Sequence, residues 1–175
     1  AHADALIFVG AVGIAVRAIA PHCRNKAVDP AVVVLDECGH FAVPILSGHL
    51  GGANDLARVL AAVCGAVPVI TTATDANGVF AVDAWARHQN CAVLEPGRIK
   101  RVSSRLLAGG PVRYRSEFPI AGQAPAGVVP AGEAERADFA LTLFPADDAL
   151  HLIPKIGVLG IGCRRGTSAA QLEAA

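Results

Sequence analysis

FAVPILSGHLGGANDLAR, residues 41–58, decides how the chain is read. An apolar run from Phe41 to Leu46 breaks at Ser47-Gly48-His49-Leu50-Gly51-Gly52 and turns amphipathic from Ala53. A strand-like run, glycines around one histidine, then a helix-like run place polar groups at a helix N-terminus. Free backbone N–H groups and the helix dipole favour an anion there. Within 53–64, Leu56, Val59, Leu60 and Val63 recur at helical spacing, and Gly65 stands where a helix ends.

The flanks repeat the pattern. Upstream, AVVVLD (31–36) and the turn DECGH (36–40) make residues 31–46 a predicted hairpin, and Pro44 points to a strand edge or end. Further upstream, ALIFV (5–9) reads as a buried strand before a helix over 12–20 that Pro21 stops. Downstream, VPVITT (67–72) is the next strand, ending in the polar stretch 71–75. Residues 79–89 then read as a helix with Phe80, Ala84 and Trp85 on its apolar side. Alternating strands and helices predict an α/β fold with a doubly wound parallel sheet, Rossmann- or flavodoxin-like. Residues 10–13, 47–55 and 71–78 fall at strand-to-helix junctions, which such a sheet gathers at the carboxyl ends of its strands.

Past Glu95 the texture changes. Residues 97–108 read as a basic helix, and 109–135 are rich in Gly, Pro and Ala with little periodicity, a loosely packed segment or linker. Strand-like runs at 137–143 and 150–161 follow, then GCRRGTS (162–168) leads into a new helix. The expected division is an N-terminal α/β domain (1–95), a middle domain or linker (96–150) and the start of a C-terminal domain (151–175). Both ends read as cut, the first by opening directly on a strand and the last by closing inside a helix, so the N-terminal sheet is expected to be truncated.

Of the 175 residues, 53% are apolar and 17% charged, which excludes a disordered chain. Zero formal net charge argues against a protein held to nucleic acid by phosphate neutralisation. No apolar run approaches the ~20 residues of a membrane span, and no signal-peptide layout opens the chain, so a soluble cytoplasmic protein is expected. Five scattered cysteines and six histidines form no Cys-x-x-Cys or His-x-His pair. Reduced thiols and no protein-ligated metal follow.

Several polar residues carry candidate chemistry. His49 sits in a glycine-rich loop, and its ordinary pKa suits proton transfer near neutrality. Ser47 or Asn54 could instead cap the following helix, Asp55 could answer its dipole, and Asp75 could cap the helix beginning near Gly78. Arg17 follows an apolar helix face, where such a residue usually has a partner. Lys26 and Asp29 lie in one Pro-bounded loop and could pair with each other. GIGCRRG (160–166) misses the dinucleotide fingerprint by one residue. Arg164, Arg165, Thr167 and Ser168 suit a carboxylate or phosphate, or a capped helix with solvated arginines.

Taken together, FVGAVGIAVRAIAPH (8–22), KAVDPAVVVLDECGHFAVPILSGHLGGANDLAR (26–58), PVITTATD (68–75), GVFAVDAWA (78–86) and LGIGCRRGTSAAQLEAA (159–175) closely resemble the cobalt-precorrin-5A hydrolase family of anaerobic cobalamin biosynthesis. The resemblance implies that water opens a δ-lactone on cobalt-precorrin-5A and that acetaldehyde leaves to give cobalt-precorrin-5B. It makes His49 a candidate base, with Asp75 or Asp55 as orienter or second acid/base, and backbone N–H groups at Gly51–Ala53 with Asn54 as oxyanion donors. Ser47, Gly48, Gly51, Gly52, Thr72 and Thr74 would line the substrate, and Arg17, Lys26, Arg164 and Arg165 would hold its peripheral carboxylates. Cobalt would arrive inside the substrate, so no cofactor is expected, and contacts with neighbouring corrin-pathway enzymes are. The competing expectation is a tetrapyrrole-binding or interaction module whose catalytic groups lie in a C-terminal domain; a nucleotide-binding regulator rests on the glycine loops alone.

Overall fold

The computed structural model describes residues 3–157 together with Ser168 and Ala170. The chain runs β1 (Ala5–Val9), α1 (Val12–Ile19), β2 (Ala31–Leu35), β3 (Phe41–Leu46), α2 (Ala53–Cys64), β4 (Val67–Pro68), α3 (Ala73–Ala76), α4 (Val82–His88), β5 (Cys91–Val93), α5 (Ile99–Leu107), β6 (Val112–Ser116), β7 (Val128–Pro130), β8 (Phe139–Leu141) and β9 (Leu150–Pro154). They form a four-stranded sheet, β1-β2-β3-β4, and a five-stranded sheet, β5-β9-β8-β6-β7. Both are mixed but mostly parallel: only β2–β3 and β5–β9 are antiparallel pairs. The α/β class expected from the strand–helix alternation holds.

In the first sheet, β2 is buried along its whole length. Period-two alternation sends Ala31, Val33 and Leu35 to one face, where they pack with Ala53, Ala57 and Ala61 of α2. Leu6, Phe8 and Val32 on the other face line a cleft with Ala18 and Ile19 of α1. Helices therefore cover both faces, as the doubly wound reading requires. The predicted hairpin is β2–β3, with a register shift between Val32 and Val33 where Pro44 enters the ladder. Beyond Ala42 no ladder pair joins β3 to β4, so the N–H that Pro44 lacks is not missed.

The second half departs from expectation. Residues 109–135, predicted as loose, hold β6 and β7 and carry Val112 and Val128 into the larger core. That core joins Val82 and Ala86 of α4, Ile99, Val102 and Leu106 of α5, and Phe139, Leu141, Leu150 and Leu152 of the strands. Three-residue strands are too short to display a period, which is why the sequence hides them. The sheet also takes in β5, before residue 95, and β9, which begins at Leu150. Element ends shift too: β4 stops at Pro68 rather than residue 72, α4 starts at 82 rather than 79, and β9 stops at Pro154 rather than 161. The GIGCRRG stretch, with Arg164 and Arg165, lies outside the described residues.

Candidate functional site

The loop between β3 and α2 folds on its own carbonyls. Gly52 N–H donates to His49 O (3.0 Å), Ala53 N–H to Ser47 O (3.1 Å) and Asn54 N–H to Gly48 O (2.9 Å). Of the donors expected to face an anion at Gly51–Ala53, those of Gly52 and Ala53 are thus spent within the loop. The glycines answer close packing instead. A Cβ on Gly52, whose φ is 84°, would strike the Arg87 guanidinium, and one on Gly51 would strike Ser47. Gly52 is the N-cap of α2 and no side chain caps it. Ser47, held at φ 54°, donates its hydroxyl to Asp29 O (2.9 Å), so Ser47 and Asn54 are not caps.

That loop presents His49 to two carboxylates. Nε2 lies 2.6 Å from Asp75 Oδ2, and Nδ1 lies 3.1 Å from Asp83 Oδ1. Carboxylates only accept, so both ring nitrogens donate and the ring is an imidazolium. The hydrogen bond to Asp83, opposed by burial and reinforced by Asp75, raises the His49 pKa to about 9. The base expected at this position is therefore a proton donor at rest.

Asp75 is saturated as well. Its Oδ2 accepts from Thr72 Oγ1 (2.5 Å) and Asn54 Nδ2 (3.2 Å) in addition to His49, and its Oδ1 accepts from Arg58 (2.5 Å). Burial pushes this carboxyl up, but the hydrogen bonds from His49, Thr72 and Arg58 outweigh it and hold Asp75 well below the ordinary carboxylate range. It does not cap α4, whose N-cap is Ala81. Asn54 Nδ2 also reaches Thr72 Oγ1 (2.9 Å), which ties α2 to the 72–75 loop.

Asp55 does not face His49; it accepts from Arg87 (2.7 Å) and His88 (2.7 Å) and shares the Arg58 guanidinium (3.1 Å) with Asp75. Thr74 is buried and its Oγ1 has no hydrogen-bond partner. Arg17 and Lys26 are exposed. The Asp29 carboxylate accepts the Arg24 N–H (3.0 Å), not a Lys26 ammonium. A cleft of about 280 Å³ adjoins the loop, lined by Ala27, Leu50, Arg87 and Lys155 among others, and His49 is not part of its wall.

The structure thus joins His49, Asn54, Thr72 and Asp75, links Asp55 to them only through Arg58, and adds Arg58 and Asp83, which the sequence reading did not single out. Both were visible as charges inside the quoted stretches 26–58 and 78–86, but neither carries a local signal of a partner 17 or 34 residues away along the chain.

Residues 1–75 match the family described as Cobalamin synthesis G N-terminal. A cobalt-precorrin-5A hydrolase from Salmonella typhimurium is 40% identical across 93% of this chain and 51% of its own length. Another from Priestia megaterium is 32% identical across 96% of this chain and 50% of its own. A solved structure from Sulfolobus solfataricus, described as a cobalamin biosynthesis protein G homolog, superposes with a TM-score of 0.51 at 23% identity, over 86% of this chain and 45% of that one. The last likeness bears on the fold alone. The chain spans about half the length of the curated relatives it matches. Residues 1–75 thus carry a Cobalamin synthesis G N-terminal region, and most of the chain is similar to relatives named cobalt-precorrin-5A hydrolase.

Proposed function

We propose that this chain acts in cobalamin biosynthesis as the hydrolase that opens the δ-lactone of cobalt-precorrin-5A and releases acetaldehyde, with His49 as its acid–base group. The observation that carries this reading is His49 held between Asp75 and Asp83, in a chain 40% identical to a relative named cobalt-precorrin-5A hydrolase.

The chemistry runs in two steps. Water adds to the lactone carbonyl, shedding one proton to bulk water as it does so, and the developing oxyanion needs a donor. The His49 Nε2–H supplies it once a substrate oxygen replaces Asp75. Collapse expels the ring oxygen, which leaves as a hydroxyl carrying the His49 proton, and the new carboxylic acid ionises to a carboxylate, its proton passing to bulk water. The neutral imidazole is then a base. It removes that hydroxyl proton as the neighbouring C–C bond breaks, the C=O of acetaldehyde forms, and the electron pair passes to the macrocycle, where a proton quenches it. Asp75, wired to Arg58, Thr72 and Asn54, keeps its place throughout. Arg17 and Lys26 are exposed cations available to peripheral carboxylates, and cobalt is cargo of the substrate.

His49→Ala and Asp75→Asn should each cut acetaldehyde release from cobalt-precorrin-5A by about 100-fold or more while the far-UV spectrum stays native. Unchanged rates in both variants overturn the assignment. The saturation of both side chains by protein partners favours one second reading, a tetrapyrrole-binding module whose catalysis needs groups beyond residue 175. Substrate binding without turnover by the 175-residue chain, restored by the remaining half of a curated relative, would select it.

A further inference from the structure

Asp83 opens α4 with its carboxylate buried, accepting the Ala84 N–H (3.2 Å) and meeting His49 Nδ1. A carboxylate so far from water needs a cationic or hydrogen-bonding partner, and His49 is the cation that meets it. The helix is two-faced. Val82 and Ala86 enter the second core, while Asp83, Arg87 and His88, at i, i+4 and i+5, reach back to His49 and Asp55 of the first half. Leu50, next to His49, packs against the same second core. The ring is therefore carried by the first sheet and gripped by the second.

Its two grips are unequal. The Asp83 side chain is 8% exposed and Asp75 is 22% exposed, so the Nε2 side is the one a substrate oxygen can reach. We propose that Asp83 is the positioning residue of His49: by accepting the Nδ1 proton from the second sheet it fixes the ring plane and tautomer, and leaves Nε2 as the nitrogen that trades a proton with the substrate. This rests on the acid–base reading of His49. When Nε2 gives up its proton, the neutral ring keeps Nδ1–H on Asp83 and presents a bare Nε2, the form the second step uses. The charged and polar groups on the opposite side are Asp75 with its partners Arg58, Asn54 and Thr72; none reaches Nδ1.

The test is ring-nitrogen NMR of His49 with substrate kinetics in Asp83→Asn and Asp83→Glu. In Asp83→Asn the His49 titration midpoint should fall by about 1 pH unit or more, its neutral form should become a mixture of tautomers, and kcat should drop about tenfold or more with KM little changed. Asp83→Glu should recover the Nδ1–H tautomer and part of kcat, and it serves alone if Asp83→Asn does not fold. A wild-type midpoint and single tautomer in Asp83→Asn, with only its melting temperature lowered, overturns the proposal. Changed ring spectra with no acetaldehyde released by the wild type would leave Asp83 in this role on the ring and sink the catalytic reading instead.

Discussion

Each sheet holds a histidine between two carboxylates, and the two clasps are built differently. His151 lies inside β9, buried, with Nδ1 2.8 Å from Glu95 and Nε2 3.1 Å from Asp147, four residues back along the chain. Glu95 also accepts the His151 backbone N–H (2.9 Å) and pairs with Arg98 (3.5 Å). Every group there belongs to the second sheet or its own connections. His49 instead stands on a loop with glycines on both sides, and its carboxylates arrive from the segment after β4 and from the start of α4. A histidine with two acids is thus no sign of chemistry by itself. In a strand it staples one sheet; on a loop at the meeting of two sheets it can exchange a partner for a substrate.

The largest effect expected from this contrast falls on stability. His151→Ala removes a ring from the interior of β9 and leaves Glu95 with Arg98, and Asp147 with Arg115, but with no group joining the two acids. Breaking a buried pair costs ~3–5 kcal/mol, and the partial exposure of both acids brings the expectation to about 3 kcal/mol, read as the denaturant midpoint. Acetaldehyde release per folded molecule should be unchanged. Loss of turnover with folding intact would break the comparison and make the second clasp the reactive one.

The same two histidines explain what the sequence could and could not disclose. His49 is legible because Ser47-Gly48-His49-Leu50-Gly51-Gly52 interrupts an apolar run, and glycines beside a titratable ring are a local signal. His151 sits in LHLIP, which reads as ordinary core strand, and its partner Glu95 is 56 residues away. The doubly wound first sheet was readable because β2 and α2 are long enough to display their periods. The second sheet was not, since β5, β7 and β8 have three residues each and Gly and Pro separate β6 from β7. The loop N–H groups misled for a related reason: a helix N-terminus looks open in sequence, while the tight turn that fills it with the carbonyls of 47–49 is a matter of backbone path. Asp83 needed the docking of α4 against the 47–52 loop, which no local pattern encodes.

The next effect is the pH dependence of the loop clasp. His49 has its pKa raised from 6.5 to about 9, so the pair stabilises the fold fully below pH 6.5 and loses that contribution as pH rises through about 9. Asp75 is shifted the other way, so its contribution is present above its ordinary 3.8 and is lost as pH falls below it. One interaction seen from both partners should give a stability plateau between about pH 4 and 6.5. The decline above it, counted once and discounted for partial solvation, is on the order of 2 kcal/mol by pH 9. Denaturant midpoints across pH 4–9 measure it. His49→Gln should flatten the alkaline limb; a limb that persists would place the titration in another group and overturn this assignment to His49.

The smallest effect tests whether the seam between the sheets depends on His49 or on charge in general. Asp55 joins α2 to α4 through Arg87 and His88, as His49 joins its loop to Asp83, yet its side chain is 34% exposed and those of Arg87 and His88 are more so. Water competes for every one of these bonds, and burial opposes the lowering of the Asp55 pKa by His88 and Arg87. Asp55→Asn should therefore cost less than about 1 kcal/mol, shrink further in high salt, and leave acetaldehyde release within about twofold. Arg87 also lies over Gly52, so Arg87→Ala removes packing on the loop as well as the charge and should cost more than Asp55→Asn. If the two variants cost the same, the seam is purely ionic. If Arg87→Ala alone disturbs the His49 titration, the guanidinium over Gly52 holds the loop in the conformation that brings His49 to Asp83.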